Sequence, residues 1–303
     1  MTLLGAPISR PALDKVLLKK VDDLDRAISR LNYLQAHNAL ALLQNILSMP
    51  HLLYTLRASD CHDHPLLTRF DTILREGLSL ILNVDFDDTQ WLQATFPVRH
   101  GGIGLRTASK LATSAFLASA ASTEALQQAI LPPSHSNIAD KTRNSAADAC
   151  TSLSSSEPPE SCFQYIQKAW NGPVVKSMMD RIALTANSDV DHARLKAATA
   201  PHSGEWLHAP LISSVGLKLT DEKIWISVAQ RLGVWTCSPH TYICGKLVDA
   251  RGLHCLSCRE STPRHQRHAM LNDINWRAMK WAQIPAHKEP TGLVVVNVRM
   301  EPL

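Results

Sequence analysis

The sequence is poor in aromatics, in charge and in recognisable catalytic chemistry. Phe, Trp and Tyr make up 5% of its 303 residues and charged side chains 19%, while hydrophobic residues reach 45%. Scarce aromatics beside abundant Leu and Ala disfavour a β-sandwich and favour helix packed on helix. An ordinary apolar fraction excludes wholesale disorder. The most apolar stretches, Leu293–Val298 and Leu78–Val84, are too short to cross a bilayer. The N-terminus lacks the basic flank and long apolar core of a signal peptide, so no membrane is expected and the cytoplasm or nucleus is the expected compartment. No phosphate-binding G-x-x-x-x-G-K-[ST] loop, H-E-x-x-H pair, nucleophile elbow or acid–base carboxylate pair occurs, so no complete catalytic centre is expected. Gly101-Gly102-Ile-Gly104 lacks the strand-turn-helix context of a phosphate cradle and reads as a structural turn.

What is present is helical rhythm. Leu13, Val16, Leu17, Val21, Leu24, Ile28 and Leu31 recur at three- and four-residue steps and predict a long amphipathic helix. Leu40, Leu43, Ile46 and Leu47 continue the pattern up to Pro50, and His51–Arg57 predicts a short apolar helix. Pro65 stands where another helix can begin, carried by Leu66, Phe70, Ile73, Leu74 and Ile81. Pro97 and three glycines interrupt this rhythm over Gln90–Arg106, with Trp91 expected as a core anchor. Helix resumes near Thr107 and runs toward Ile130, with Ala108, Ala112, Ala115 and Ser119 on one small face. Residues 131–160 are rich in Pro, Ser, Ala and Asn and predict a linker. The remaining segments read as helix of weak periodicity over 161–220, a helix over Asp221–Leu232 and a last helix over about Arg267–Ile284, with Met270, Leu271, Ile274, Ala278 and Trp281 on one side. The expected fold is therefore mainly α. A helical bundle over 1–130, a linker over 131–160 and a helical segment over 161–220 precede a small irregular Cys/His region with a C-terminal helix over 221–303.

Seven cysteines is an odd count, and four crowd into Cys237–Cys258. Clustered thiols among histidines, in a chain of this length without a signal, suggest a reducing compartment and a metal site rather than a disulfide framework. The stretch reads Cys237-Ser-Pro-His240-Thr-Tyr-Ile-Cys244-Gly, then Gly252-Leu-His254-Cys255-Leu-Ser-Cys258. Thiolates and imidazoles are the donors that tetrahedral Zn²⁺ prefers. Cys255 and Cys258 form one C-x-x-C pair beside His254; Cys244 is a further donor, and Cys237, His240, His265 or His268 could complete four. Small buried thiols and partly exposed histidines in a basic loop are the competing reading.

Charge is distributed unevenly. From Lys223 onward there are eleven Lys/Arg against five Asp/Glu, whereas residues 1–222 carry twenty against twenty-two. Arg259, Arg264, His265, Arg267 and His268 lead into the last helix, which adds Arg277 and Lys280. A basic end on a near-neutral body is the pattern of a phosphate-contacting module, and a solvated helix entry is the bland alternative.

Four blocks in order resemble the pol protein of non-LTR (LINE-type) retrotransposons. They are Leu3-Leu-Gly-Ala-Pro-Ile8; His37-Asn-Ala-Leu with Leu53-Tyr54-Thr-Leu-Arg57; Gln90-Trp-Leu-Gln-Ala with Pro97-Val-Arg-His-Gly-Gly-Ile-Gly-Leu-Arg106; and Arg231-Leu-Gly through Cys258 to Arg267-His268 and Asn272. The third block is the most specific, and the likeness spans nearly all of the chain outside 131–200. In such proteins the first block follows the polymerase motifs, the next helices form a thumb that holds template and primer, and a zinc knuckle precedes a restriction-like endonuclease. The resemblance implies zinc and the ligands Cys244, His254, Cys258 and His268. It also implies a degenerate site, because Tyr242 stands where the family's knuckle has its first cysteine, while Cys255 replaces a usual glycine and could compensate.

By the same resemblance, the polymerase's metal-binding aspartates belong before residue 1, and Asp85–Asp88 lies outside their place and context. After Glu289-Pro-Thr-Gly-Leu293 the family continues into the nuclease, whereas Val294–Leu303 departs from it. The expected function is a non-catalytic fragment of a reverse transcriptase that binds RNA or DNA through its basic C-terminal region. Its alternatives are a helical protein-interaction module derived from a retroelement and an accessory part acting with catalytic domains elsewhere.

Overall fold

A computed structural model describes residues 2–130, 136–260 and 262–288, the side chains at 136–140, 262–265 and 267 excepted. The fold is mainly α, as expected, and divides into two compact units, Met1–Thr236 and Cys237–Leu303.

Unit 1 opens with a hairpin of β1 (Thr2–Leu3) and β2 (Ala6–Pro7), turned through Leu4 and Gly5, both at positive φ. Helix α1 (Arg10–Leu31) begins with Pro11 in its first turn, where a missing N–H costs nothing. It buries Leu13, Leu17, Val21, Leu24, Ile28 and Leu31, the stripe read from the sequence with Val16 at its margin. Burial of each such side chain contributes about 1.5–3 kcal/mol. Helix α2 (Ala36–Leu42) passes through a π-helical turn at Leu43–Leu47 into α3 (Met49–Ala58), and α4 (Pro65–Leu82) packs along α1. By length and composition alone Ala36–Ala58 could cross a bilayer, contrary to the expectation that every apolar stretch is too short. Here Leu40, Leu43, Leu52 and Leu56 of that stretch are buried in the main core.

Helix α5 (Asp88–Ala94), closed at its start by a reciprocal capping box between Asp87 and Gln90, runs into the Gln90–Arg106 block, which goes on through a 3-10 turn at Val98–His100. Helix α6 (Ala108–Ser122) buries Ala108, Ala112 and Ala115, the small face that lets α3 pack closely on it. The helix expected to run on to Ile130 breaks at Thr123 before α7 (Glu124–Ile130). Residues Ser136–Ser154, expected within a linker, form helix α8 instead. Ala146 and Cys150, one turn apart, are buried in a second cluster with Leu117, Trp170, Val174 and Met178. Small side chains bury little area but permit close approach, and a search for large apolar residues overlooks them.

Helix α9 (Gln167–Thr185) packs on α6 and α8, and α10 (Asp189–Thr199) packs on α11 (Asp221–Leu232). The bundle, the helical segment over 161–220 and α11 thus form one unit. The expected boundary at 221 moves to 237, because Ile224, Val228 and Leu232 are buried in the core of α1–α6.

Unit 2 holds a hairpin of β3 (His240–Thr241) and β4 (Leu247–Val248), the short helix α12 (Leu253–Ser257) and α13 (Thr262–Trp281). The apolar side expected on the last helix is not buried: Met270, Leu271 and Ile274 are exposed and Trp281 is 91% exposed. Leu293–Val298 lies outside the described residues.

Candidate metal centre

Three of the expected donors converge. Cys244 Sγ, His254 and Cys258 Sγ present ligand atoms that lie within 4.8 Å of one another, and Cys244 Sγ is 3.0 Å from His254 Nε2. The local sequence explains the convergence. Cys244 sits in the turn between β3 and β4, where Gly245 takes φ +79° and Tyr242 N–H donates to Lys246 O at 2.9 Å. Asp249 Oδ1 accepts from Leu253 N–H at 3.0 Å and so anchors the start of α12. His254 and Cys258 are four residues apart across that helix, which puts both on one face.

Cys255 is not among the three. It follows His254 by one residue, a rotation of about 100° around a helix, so the compensating donor expected there is not gathered with the others. His268 also stands apart: it is exposed on α13, with its Nδ1 3.2 Å from Asn272 Nδ2 one turn along. The other open candidates are engaged locally. Cys237 Sγ lies 3.4 Å from Asp249 O, and His240 Nδ1 lies 2.8 Å from Ser238 O. The His265 side chain lies outside the described residues.

Tyr242 lies against the group, its ring edge-on to the His254 ring with centroids 5.7 Å apart. The residue standing at the family's first cysteine is therefore beside the three donors, although its position in sequence offered only the resemblance as a signal. Solvent loss pushes the Cys258 thiol above the ordinary thiol range, and the adjacent Cys244 and Glu260 add to the shift against a backbone hydrogen bond that lowers it. A divalent cation reverses that balance by taking both sulfurs as thiolates. Two sulfurs and an imidazole nitrogen match the donor preference of Zn²⁺, with one tetrahedral position left for a donor outside this set.

The expected phosphate contacts are less uniform. Arg259 is exposed. Arg277 Nη2 pairs with Asp273 Oδ2 at 2.7 Å along α13, and Lys280 Nζ stands 5.6 Å from the centre of the Trp276 ring. The side chains of Arg264 and Arg267 lie outside the described residues. Neither half of the chain contains a described carboxylate cluster with metal-binding geometry. No protein-family model matches the chain, and no curated protein or solved structure matches it either.

Proposed function

We propose that this chain is a retroelement-derived, non-catalytic nucleic-acid-binding protein, a thumb-like helical unit followed by a degenerate zinc knuckle. The observation that carries the reading is the convergence of Cys244, His254 and Cys258, three of the four positions at which the resemblance puts knuckle ligands, beside Tyr242, which stands where the resembled family has its first cysteine. Zinc bound there would tie the β3–β4 turn to α12 and supply a structural cross-link, with no role in bond breaking. The fixed knuckle would then present Arg259 and the entry of α13 to the phosphates of RNA or DNA. A cytoplasmic or nuclear location fits this reading.

The test is zinc stoichiometry on the purified chain, alongside Cys244→Ser and His254→Ala. The expected result is about one zinc per chain, lost in both variants, with nucleic-acid affinity that weakens as salt rises. Absence of zinc, or affinity indifferent to salt, overturns the reading. Template-dependent synthesis by the purified chain would overturn its non-catalytic part.

One observation favours a second reading, a helical protein-interaction module. Met270, Leu271, Ile274 and Trp281 leave α13 with unburied apolar side chains. Under that reading the chain binds a protein partner and shows no measurable affinity for nucleic acid.

A further inference from the structure

Unit 1, electrically near neutral along the chain, nevertheless gathers cations that have no carboxylate partner. Arg99 and His100 close the 3-10 turn after α5, Arg106 precedes α6, and Lys168 lies in the first turn of α9. Arg106 Nη2 donates to Asn171 Oδ1 at 2.8 Å, and Arg57 Nη2 donates to Gln167 Oε1 at 3.1 Å. Neutral amides on α9 thus receive the guanidiniums where carboxylates would be the ordinary partners. Among the described residues, none of Arg57, Arg99, Arg106, Lys110, Lys168 or Arg181 has a carboxylate within salt-bridge distance. Asp71, the carboxylate that faces Lys110, is already committed: its oxygens accept from Ala108 N–H, Ser109 N–H and the Ser109 hydroxyl.

These positive groups act on one another. Partial burial lowers the His100 pKa first, and the charges of Arg99, Arg106 and Lys168 lower it further. Burial and then Arg99 bring Arg106 down to about 10. Burial depresses Lys110, and Arg181 and Arg106 add to that against Asp71. The neutral His100 ring accepts from Arg99 Nε at Nε2 over 3.0 Å, which leaves Nδ1–H as a donor. Arg106 spends one of its five N–H donors on Asn171. The start of α9 adds partial positive charge of its own: Ile166 at its N-cap offers no side-chain acceptor, and the first turn contains no acidic residue. His100 and Arg106 are half-buried beside the exposed Arg99 and Lys168. Collecting like charges without an anion destabilises a fold, most at the half-buried pair, and an external anion relieves that cost.

We propose that Arg99, His100, Arg106 and Lys168, with the uncapped N-terminus of α9, form a second phosphate-contact site for nucleic acid, on unit 1 and independent of the Cys/His knuckle. The ligand chemistry is a phosphodiester oxygen, met by guanidinium forks, a lysine ammonium and backbone N–H groups. A polyanion fits better than a free phosphate, because further cations are close by: Arg57 reaches Gln167 in the first turn of α9, and Lys110 and Arg181 are close enough to Arg106 to share one electrostatic environment. One phosphate carries at most two charges and cannot satisfy them all. This inference rests on the nucleic-acid reading above and adds a second place of contact to it.

The experiment is fluorescence anisotropy of the full chain with a labelled single-stranded RNA over a series of salt concentrations. Arg99→Ala/Lys168→Ala is compared with Arg259→Ala/Lys280→Ala in unit 2. Both altered residues of unit 1 are exposed, and unchanged thermal unfolding verifies the fold. The unit 1 variant is expected to weaken binding about ten-fold near 0.1 M salt and to reduce the slope of log K against log salt by about 2. Arg99→Lys/Lys168→Arg restores both quantities. An unchanged slope and affinity in the unit 1 variant, with a wild type that binds, overturns the inference and leaves the knuckle reading standing. A wild type that does not bind RNA overturns both. Inorganic phosphate that displaces RNA far better than chloride of equal ionic strength would mark a free-phosphate site and overturn the polyanion assignment.

Discussion

Unit 1 and unit 2 differ in how much apolar surface each buries within itself. Unit 1 buries a continuous core from Leu13 to Val234, with Phe70, Leu74, Leu78 and Leu82 almost fully enclosed. In unit 2 only Val248 and Cys258 are buried among the described residues, while Ile243 and Leu247 of its hairpin are 86% and 74% exposed. Apolar burial of that extent among the described residues offsets little of the conformational entropy of ordering. A cross-link is one further source of order open to unit 2, and three of its donors are placed so that they could hold a metal ion. Apolar burial stabilises the first unit, and ligand chemistry is available to stabilise the second.

The largest effect that would test this contrast falls on the Gln90–Arg106 block. Gly102 admits no side chain: a Cβ there would stand 2.2 Å from Phe96 O and 2.6 Å from Gln93 O, both backbone atoms. Around it, Gln93 Nε2 donates to Gly101 O and Arg231 O, while Arg231 donates to Gly102 O at 2.9 Å and Val98 O at 2.6 Å. Arg194 Nη1 closes the set by donating to Gln93 Oε1 and Arg231 O. Gly102→Ala should therefore cost about 3–5 kcal/mol in urea unfolding of unit 1. Arg231→Ala should cost about 3 kcal/mol, because it strands buried carbonyls that the guanidinium now satisfies. Neither change should alter zinc stoichiometry. If Gly102→Ala removes zinc along with the fold of unit 1, the two units are not separately stabilised and the contrast fails.

A change in the opposite direction addresses unit 2. Tyr242 stands beside the donor group at the position where the resembled family has a cysteine. Tyr242→Cys should complete a Cys₃His set and raise zinc affinity about ten- to a hundred-fold in chelator competition, with unit 1 unfolding unmoved. Equal affinity in the variant would mean that a donor outside the three already fills the fourth position, or that position 242 points away from the ion.

Much of this division was legible in the sequence, for reasons that differ by residue. The Leu13–Leu31 stripe was clear because a large apolar residue at every third or fourth step has one helical meaning. Helix α8 was not, because Ala146 and Cys150 pack by being small and leave no strong apolar signal. The glycine block was read as a turn, and Gly101 and Gly104 take positive φ there, yet its clamp was invisible, since Gln93, Arg194 and Arg231 lie up to 138 residues apart. In the metal group, Cys244, His254 and Cys258 were legible from donor type and from the resemblance, the i,i+4 relation that puts His254 and Cys258 on one face went unread, and the C-x-x-C spacing gave weight to Cys255, which is not in the group. Cations scattered from Arg57 to Arg181 escaped notice because charge was counted along the chain, where acidic residues distant in space cancel them.

The smallest expected effect is a pH dependence that belongs to unit 1 alone. His37 is buried on α2, its Nδ1 accepts from Leu219 N–H at 3.0 Å, and burial, then Lys218, hold its pKa below the ordinary histidine value. Protonation at Nδ1 abolishes that hydrogen bond. With a folded pKa below the unfolded 6.5, the unfolded chain binds more protons in the window beneath 6.5, so stability is fully present above it and falls as pH drops toward the folded value. His51 and His100 are shifted in the same direction. Asp71 opposes them: burial raises its pKa, so its contribution is present below the ordinary Asp value of 3.8 and lost as pH rises above it. Thermal unfolding between pH 7.5 and 5, in a chelator so that no metal contributes, should show unit 1 weakening toward pH 5. His37→Gln keeps an acceptor but removes the titration, and it should flatten part of that slope, an effect of about 1 kcal/mol or less, the net worth of one hydrogen bond. A slope identical in His37→Gln and wild type would assign the acid sensitivity to His51 and His100 instead. A slope that appears only when metal is present would move it out of the apolar unit and into the Cys/His group, the opposite of what the difference between the two units requires.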